Sequence, residues 1–248
     1  FPMRVLLISL FLCRIILAQE SNTRLVRESD ALTPAEEQAK LHAPAGFTVQ
    51  LFASEPMINK PINMAFDSRG RLWVSSTVEY PYAAGKERWS DAQGSHVKDS
   101  RDAIKILEDT DGDGKADKST VFADGLHVPV GFELWNGGAL VVSQPKLLFL
   151  KDTDGDDKAD VRQIFSRGWG TNDTHAMASN LMYGHDNYIW GTVGYSGFNG
   201  EMNGQQMQFG QGVYRFKPDG SAFDYISGST NNTWGLGLTE DGVVLGST

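Results

Sequence analysis

Cysteine is almost absent from this chain, which has one, Cys13, among 248 residues. A disulfide-stapled scaffold is therefore excluded within this sequence, because such folds depend on several cysteine pairs. The Cys-x-x-Cys-His motif that attaches a c-type haem is also missing, so these residues carry no such haem. Any chemistry that the chain performs must come from other side chains.

A surplus of positive charge is missing as well. Lysine and arginine number 22 against 31 acidic residues, which gives a net charge of −9. Proteins that bind nucleic acid need basic surfaces to neutralise phosphates, so we exclude nucleic acid as a partner. The sequence also lacks a phosphate-binding Gly loop, a dinucleotide fingerprint and a Ser-His-Asp nucleophile signature.

No apolar run is long enough to cross a bilayer, which takes about 20 residues. The longest candidate, residues 5–17, has 13 residues, follows Met3 and precedes a polar segment. This arrangement favours a secretory signal peptide over residues 1–18. We therefore expect an exported protein, located in the periplasm or associated with the cell envelope.

The remaining sequence divides into a polar segment, residues 19–45, and a β-rich region, residues 46–248. The sequence Thr-Pro-Ala-Glu in the polar segment resembles a capping box with proline at the first helical position, which predicts a short helix over residues 33–41. A strand-like pattern runs on to Thr248, so we expect the sequence to be part of a longer protein.

A duplicated acidic segment is the strongest signal in the chain, LEDTDGDGKADKSTVF at 107–122 and LKDTDGDDKADVRQIF at 150–165. The copies are identical at 10 of 16 positions and lie 43 residues apart. Carboxylates recur at every second position, which is the ligand spacing of 12-residue calcium loops. Such close carboxylates repel one another unless a cation lies among them. The predicted Ca²⁺ ligands, with the lysines acting through their carbonyls, are Asp109, Asp111, Asp113, Lys115 and Asp117 in the first loop and Asp152, Asp154, Asp156, Lys158 and Asp160 in the second.

The second loop is predicted to bind Ca²⁺ more weakly than the first. Thr120 in the first loop and Gln163 in the second occupy the position that normally supplies a bidentate carboxylate. In addition, Asp157 stands where the sharp turn calls for glycine, so we expect strain there. The alternative is that both segments are solvated acidic turns that hold no metal.

The segments beside both loops are apolar and β-rich, so the loops are predicted to join strands and not the helices of an EF-hand. A polar turn followed by an apolar strand recurs, as expected for four-stranded β-propeller blades. Trp73 and Trp190 occupy the same place in this pattern and are predicted to pack in the core. The Gly-rich stretch 191–212 is predicted to be a long loop. The four copies of the turn pattern are at residues 66–76, 134–144, 183–193 and 238–248.

Four phrases carry a resemblance to a known family: GFTVQLFASEP (46–56), KPINMAFDSRGRLWVSSTVEYP (60–81), IKILEDTDGDGKADKSTVFADGL (104–126) and THAMASNLMYGHDNYIWGTVG (174–194). Together they resemble the membrane-bound dehydrogenases of planctomycetes and their relatives, which are similar to quinoprotein glucose and sorbosone dehydrogenases. The resemblance implies an all-β fold, a six-bladed β-propeller of which this chain supplies about the first half to two-thirds. It also implies oxidation of a sugar or other alcohol with pyrroloquinoline quinone (PQQ) as cofactor, and a c-type haem acceptor domain outside this chain.

The same resemblance suggests a catalytic pair. His175 matches the base that takes the proton of a sugar hydroxyl while hydride passes to the quinone, and Asp173 is a candidate orienting carboxylate. Imidazole titrates near neutrality, which suits this role. The alternative for His175 is a hydrogen bond that caps a loop or lines the channel, and His127 is a second candidate to face that channel.

The predicted cofactor-binding residues are Asn231 and Asn232, which stand where the family has an Arg-Asn pair that binds the quinone carboxylates. The absent arginine favours a different function, a non-catalytic propeller, stiffened by calcium, that binds glycans or proteins. An adhesion module of tandem calcium loops is a third hypothesis, but it predicts more copies side by side.

Overall fold

The computed structural model describes residues 30–247, which fall into two compact units divided between Leu51 and Phe52. The signal peptide predicted for residues 1–18 lies outside the described residues. In the first unit, helix α1 (Pro34–Lys40) begins with the expected capping box. The Glu36 N–H donates to Thr33 Oγ1 at 3.3 Å, and the Thr33 N–H donates to the Glu36 carboxylate at 2.8 Å. The predicted helix is therefore confirmed.

The second unit is all-β, as predicted, and its sheets are antiparallel. The first sheet contains β1 (Pro61–Phe66), β2 (Leu72–Ser76), β3 (Ala103–Glu108) and β4 (Lys118–Ala123). The second sheet contains β5 (Phe132–Trp135), β6 (Gly138–Ser143), β7 (Lys146–Lys151) and β8 (Val161–Arg167). In both sheets each strand pairs with the next strand along the chain.

The third sheet begins with β9 (Ala178–Tyr183) and β10 (Ile189–Val193). An inserted hairpin follows, β11 (Phe198–Met202) and β12 (Gln205–Phe209), after which β13 (Gly212–Phe216) and β14 (Phe223–Gly228) complete the sheet in the order β9-β10-β13-β14. The last hairpin is β15 (Gly235–Leu238) and β16 (Val244–Ser247). Short 3-10 helices occupy Lys86–Arg88 and Thr174–Ala176.

Both sequence patterns form equivalent structures in successive sheets. The acidic segments connect the third and fourth strands of the first and second sheets, so the prediction that they join strands is confirmed. All four turn patterns form hairpins, namely β1-β2, β5-β6, β9-β10 and β15-β16. Trp73 and Trp190 are buried, as predicted, and each indole donates to an aspartate of the preceding turn, Asp67 at 3.0 Å and Asp186 at 3.1 Å.

The second sheet is buried on both faces. Alternate side chains of a strand point to opposite faces, so each strand of this sheet serves two cores. Val141 and Leu148 pack against the first sheet, whereas Leu140 and Leu147 pack against the third. Every residue of β6 is buried, which explains why its sequence, GALVVS, shows no polar alternation.

Aromatic side chains fill the core between the second and third sheets. Trp169, which follows β8, lies with its ring centre 4.7 Å from that of Tyr214 and 4.8 Å from that of Phe198. Its indole N–H donates to Ser166 Oγ at 2.9 Å, so the polar end of the ring is satisfied in the core. Phe198 belongs to the inserted hairpin, and this contact anchors the hairpin to the core.

The prediction of a long loop over residues 191–212 is wrong, because this stretch contains the end of β10 and the whole inserted hairpin. Its glycines hide the alternation that places Phe198 and Met202 inside, at 2% and 6% exposure. The missed signal is Asn203-Gly204, which turns the chain with φ values of 50° and 74°. Asn-Gly with positive φ at both positions is the preferred two-residue hairpin turn.

Shortening Leu148 should test the core between the first two sheets. Leu148 is fully buried, so Leu148→Ala is expected to lower the free energy of unfolding by about 2–5 kcal/mol, through lost burial and a residual cavity. Urea unfolding followed by tryptophan fluorescence measures the change. Val121→Ala on the exposed side of β4 is the control and should cost only about 0.5 kcal/mol. Equal losses in both variants would contradict this description of the core.

Candidate functional site

The first acidic loop is held together by its own carboxylates. Asp109 accepts hydrogen bonds from the N–H groups of Gly112 at 2.7 Å and Gly114 at 2.8 Å. The bond from Gly114 is the main reason that the pKa of Asp109 lies below its usual value. At the other end of the loop, Asp117 accepts from the Thr110 hydroxyl and N–H. The loop is thus closed by two aspartates of the predicted metal set.

The second acidic loop repeats this arrangement. Asp152 accepts from the N–H groups of Gly155 at 2.7 Å and Asp157 at 2.8 Å, and the bond from Gly155 is the main cause of its lowered pKa. Asp160 accepts from Thr153, as Asp117 does from Thr110. Equivalent aspartates in the two segments therefore accept hydrogen bonds from equivalent positions.

Each loop brings three carboxylates close enough to share a cation. One oxygen from every member of a triad lies within 4.8 Å of the others, and the triads are Asp109, Asp111 and Asp117 in the first loop and Asp152, Asp154 and Asp156 in the second. The remaining predicted aspartates, Asp113 and Asp160, lie outside these triads. Asp113 accepts from the Lys115 N–H and Asp156 from the Lys158 N–H, so both lysines sit at the predicted turn of their loops.

Asp157 occupies the glycine position of the second loop in a left-handed conformation, with φ of 63°. The predicted departure from ordinary backbone geometry is therefore present. The Asp157 carboxylate forms ion pairs with Arg69 at 3.0 Å and Arg71 at 2.8 Å, both in the β1-β2 turn. The sequence pattern did not predict these partners. Arg71 is 8% exposed and also binds Asp67. Aspartate at this position thus connects the first sheet to the second.

His175 and Asp173 form the predicted pair. Asp173 Oδ1 accepts from the His175 backbone N–H at 2.9 Å and lies 3.1 Å from Nδ1 of the ring. The first contact caps the short helix Thr174–Ala176, and the second orients the imidazole. The His175 side chain is 57% exposed, so its other ring nitrogen is accessible to a ligand. This geometry is that of a base oriented by a carboxylate.

Asn231 and Asn232 come from a distant part of the chain, and Asn232 contacts this pair. Asn232 Nδ2 donates to the His175 carbonyl at 3.3 Å, while its Oδ1 is buried without a hydrogen-bond partner. Asn231 Oδ1 accepts from the Tyr195 hydroxyl. Gly194 makes room for this packing, because a Cβ there would lie 1.9 Å from Asn232 Oδ1. Of the two residues that the resemblance assigned to cofactor binding, Asn232 therefore contacts the predicted catalytic pair directly, whereas Asn231 contacts Tyr195.

The first sheet also reaches this cluster. Tyr80, in the connection between β2 and β3, packs edge-on against His175 with ring centres 5.3 Å apart. Burial, assisted by the negative charge of Asp173, raises the pKa of Tyr80, so its phenol remains protonated. The Thr174 hydroxyl donates to the carbonyl of Pro81. We call these residues, with His175, Asp173, Asn231 and Asn232, the histidine cluster.

Residues 33–248 match the sequence family described as Domain of unknown function (DUF7133). The chain belongs to this family. The match spans α1, the three sheets and the last hairpin, so the acidic loops and the histidine cluster are all parts of the DUF7133 domain. No curated protein matches the sequence. Of the helices in the described residues, none combines the length and the apolar composition that crossing a membrane requires.

A buried polar network fixes the β2-β3 connection of the DUF7133 domain. Asp102 is 1% exposed and accepts from the backbone N–H groups of Glu79 at 2.8 Å and Val128 at 2.9 Å. Glu79 forms a bidentate ion pair with Arg88 at 2.6 and 2.8 Å, which is the main cause of its lowered pKa. These contacts hold the chain just before Tyr80 and so position one side of the histidine cluster.

His127 belongs to this network and not to the histidine cluster. The residue is 3% exposed, and its ring accepts from the Ala84 N–H at 2.9 Å and contacts the Gln144 carbonyl through Nδ1. Burial lowers the pKa of His127. Its side chain is therefore committed to packing, and the proposal that it faces a channel alongside His175 is not supported by these contacts.

Asp102 should give the DUF7133 domain a measurable pH dependence. Burial raises its pKa to about 6 from an ordinary value of 3.8. Between these values the folded protein keeps a proton that the unfolded chain has lost, so stability contributed by Asp102 falls as the pH rises through this window. Over this window we expect the free energy of unfolding of the wild type to fall by at most about 3 kcal/mol relative to that of Asp102→Asn, whose side chain stays neutral.

The measurement is the free energy of unfolding at several pH values between 4 and 7. Asp102→Asn loses, at every pH, one of the two side-chain oxygens that accept from backbone N–H groups, so the slopes are compared and not the absolute values. Asp99→Asn is the matched control, since Asp99 is exposed and its φ of 54° suits asparagine. Parallel slopes for the wild type and Asp102→Asn would contradict the prediction.

Proposed function

We propose that the DUF7133 domain forms the first half to two-thirds of a six-bladed β-propeller related to the planctomycete-type membrane-bound dehydrogenases. Three successive four-stranded antiparallel sheets support this proposal, since that is the make-up of a propeller blade. The first strands of neighbouring sheets, β1 and β5 and then β5 and β9, contact each other. Such contacts are expected where inner strands converge on a common axis.

The proposed function is that of an exported sugar or alcohol dehydrogenase in which His175 takes the proton of a substrate hydroxyl. The observation that carries this proposal is the exposed imidazole of His175, oriented at 3.1 Å by the Asp173 carboxylate. When the ring is protonated by the substrate, the carboxylate stabilises the positive charge that forms. Tyr80 and Asn232 limit the motion of the segment that carries the base.

Removal of a hydroxyl proton is one half of the oxidation of an alcohol to a carbonyl compound. The other half is transfer of hydride from the carbon to an acceptor. The resemblance implies PQQ for this role, and PQQ is rich in carboxylates that require a fixed cation. The fit of that cofactor can be judged from the charges around the histidine cluster.

The described residues do not fit PQQ. Within residues 30–247, no lysine or arginine forms an ion pair or hydrogen bond with the side chains of Asp173, His175, Asn231 or Asn232. Asn232 Oδ1 is a buried acceptor that needs a donor, and a carboxylate cannot supply one. No step of the proposed chemistry is therefore derived through PQQ, which serves only as a reagent in the test below.

This misfit favours a second candidate function, in which the domain binds glycans or proteins without changing them. The exposed groups of the histidine cluster would then act as hydrogen-bond donors and acceptors for a ligand. Binding with no turnover is the outcome that separates this function from the first.

We also propose that the acidic loops bind Ca²⁺ and stiffen the β3-β4 and β7-β8 connections. The triads provide three carboxylates each, a hard oxygen set that suits Ca²⁺. The first loop has glycine at its turn, whereas the second has Asp157 tied to Arg69 and Arg71. An exported protein would meet enough calcium for such loops to be filled.

His175→Asn should lower turnover of a sugar substrate at least ten-fold, because general bases contribute roughly 10²–10⁴-fold to such rates. The assay uses the full-length protein with added PQQ and Ca²⁺, a panel of sugars and alcohols, and an artificial electron acceptor. The melting temperature should not change, since the His175 ring is exposed. His185→Asn, which alters another exposed histidine, should keep wild-type activity.

The dehydrogenase proposal fails if the wild type turns over no member of the panel and retains no quinone absorbance after desalting. The binding function then remains. Equal rates for the wild type and His175→Asn would reject His175 as the base, even if the protein proved to be a dehydrogenase.

Calcium should raise the melting temperature of the protein, and a chelator should reverse the rise. At a Ca²⁺ concentration of 100 times Kd, the free energy of unfolding is expected to rise by about 2.7 kcal/mol per site. Asp109→Asn should remove more of this gain than Asp152→Asn if the first loop binds more tightly. In chelator, both variants should be somewhat less stable than the wild type, because asparagine has one side-chain oxygen where the aspartate uses two to accept from backbone N–H groups. The calcium response of each variant is therefore compared with its own value in chelator.

Differential scanning fluorimetry with Ca²⁺, Mg²⁺ and chelator measures these shifts. Glu201→Gln, which removes an exposed carboxylate of the inserted hairpin, is the control and should keep the full response. A wild-type protein with no response to millimolar Ca²⁺ would show that the segments are solvated acidic turns.

A further inference from the structure

A cavity of about 680 Å³ opens between residues 168–172 and the inserted hairpin. Ser196 lines it and also binds Asp173, donating from Oγ to the Asp173 carbonyl at 2.7 Å and accepting from the Asp173 N–H at 3.1 Å. Tyr195 lines it as well and binds Asn231 of the histidine cluster. The cavity and the histidine cluster therefore share a wall. We call this space the amide cavity.

The lining of the amide cavity carries no charged side chain but is rich in amides. Among the described residues, the side chains of Asn172 and Gln208 make no hydrogen bond, and Asn199 uses only its Oδ1, which accepts from Gln206. Three amides with free donors or acceptors thus face one space. The rings of Tyr195 and Phe209 contribute apolar surface beside them.

This chemistry favours a neutral ligand with many hydroxyl groups. An amide both donates and accepts, as a hydroxyl does, so each amide can pair with a hydroxyl of either orientation. A charged ligand would find no opposite charge in the lining, and a purely apolar one would leave the amides unpaired. Aromatic faces suit the apolar face of a sugar ring, which carries C–H groups. The volume is within the range of about 300–1,000 Å³ for small-molecule sites.

We propose that the amide cavity is a subsite for a neutral oligosaccharide, holding a sugar ring next to the one whose hydroxyl reaches His175. The assignment of the reacting ring rests on the proposed function, whereas binding in the cavity does not. The shared wall formed by Tyr195 and Ser196 places the two rings on neighbouring parts of one surface. The substrate class is therefore a neutral glycan of two or more sugars, and a monosaccharide would use only part of the site.

Gly210 offers a way to block the amide cavity. It lines the cavity, its φ lies outside the left-handed region, and a Cβ built on it meets no atom within 4 Å. Gly210→Phe should therefore fold normally and fill the space. Gly237, in β15, has the same freedom but does not line the cavity, so Gly237→Phe is a matched control. Asn172→Ala removes an amide from the cavity without adding bulk.

Isothermal titration of the full-length protein tests the proposal. The probes are maltotriose, cellotriose and mannotriose, the corresponding monosaccharides, and trigalacturonic acid as an acidic counterpart. We expect at least one neutral trisaccharide to bind ten-fold or more tightly than its monosaccharide and than the acidic probe. Gly210→Phe and Asn172→Ala should reduce this preference at least ten-fold and three-fold respectively, while Gly237→Phe should keep it, with melting temperatures confirming that each variant is folded.

The proposal is overturned if trisaccharides and monosaccharides bind equally, if none of the sugars binds, or if folded Gly210→Phe and Asn172→Ala retain the wild-type preference. The binding results can be interpreted whether or not the protein proves to be a dehydrogenase. Oligosaccharide binding that Gly210→Phe abolishes, with no turnover by the wild type, would support the amide cavity and reject catalysis. Turnover that depends on His175, with no preference for longer sugars, would support catalysis and reject the amide cavity as a subsite.

Discussion

The face-to-face packing of the sheets is the constraint on which the rest of the structure depends. The second sheet is buried on both sides, with Val141 and Leu148 turned to one neighbour and Leu140 and Leu147 to the other. Each buried leucine contributes roughly 2 kcal/mol relative to an exposed one, so a sheet with two apolar faces is costly to leave uncovered. The first and third sheets supply that cover, and the loops at the edges inherit their positions from this stacking.

Polar contacts then fix the loops that the apolar cores leave free. Arg71 is nearly buried and binds both Asp67 in its own turn and Asp157 in the second acidic loop, so one guanidinium joins the first and second sheets. Asp102 fixes the β2-β3 connection, because its carboxylate accepts from the backbone N–H groups of Glu79 and Val128. Buried charged groups persist only when paired or hydrogen-bonded, and both of these meet that condition.

The sequence predicted the features whose causes are local. Turn chemistry marked the four hairpins, alternating carboxylates marked the two acidic loops, and a capping box marked α1. The inserted hairpin was missed because its alternation includes Gly200, which carries no apolar side chain, and its stability comes from Phe198 packing on distant Trp169. Propensity is routinely overridden by packing of this kind.

Long-range partners were the other limit of prediction. Nothing in the local pattern connects Arg71 with Asp157, which are far apart along the chain and meet only when two sheets stack. The resemblance supplied His175, with Asp173 two residues before it, whereas the amide cavity required the inserted hairpin to be placed. A resemblance also supplied Asn231 and Asn232, of which the structure puts Asn232 against His175 and Asn231 against Tyr195.

The histidine cluster is assembled from separate parts of the fold. Tyr80 comes from the first sheet's connection, His175 from the entry to the third sheet, and Asn232 from the segment before the last hairpin. No single sheet holds the cluster, so a protein built by duplicating one sheet would gain this surface only after several copies had packed side by side. A chain in which only the first sheet has folded therefore holds Tyr80 alone, and the cluster is complete only when the segment before the last hairpin is in place.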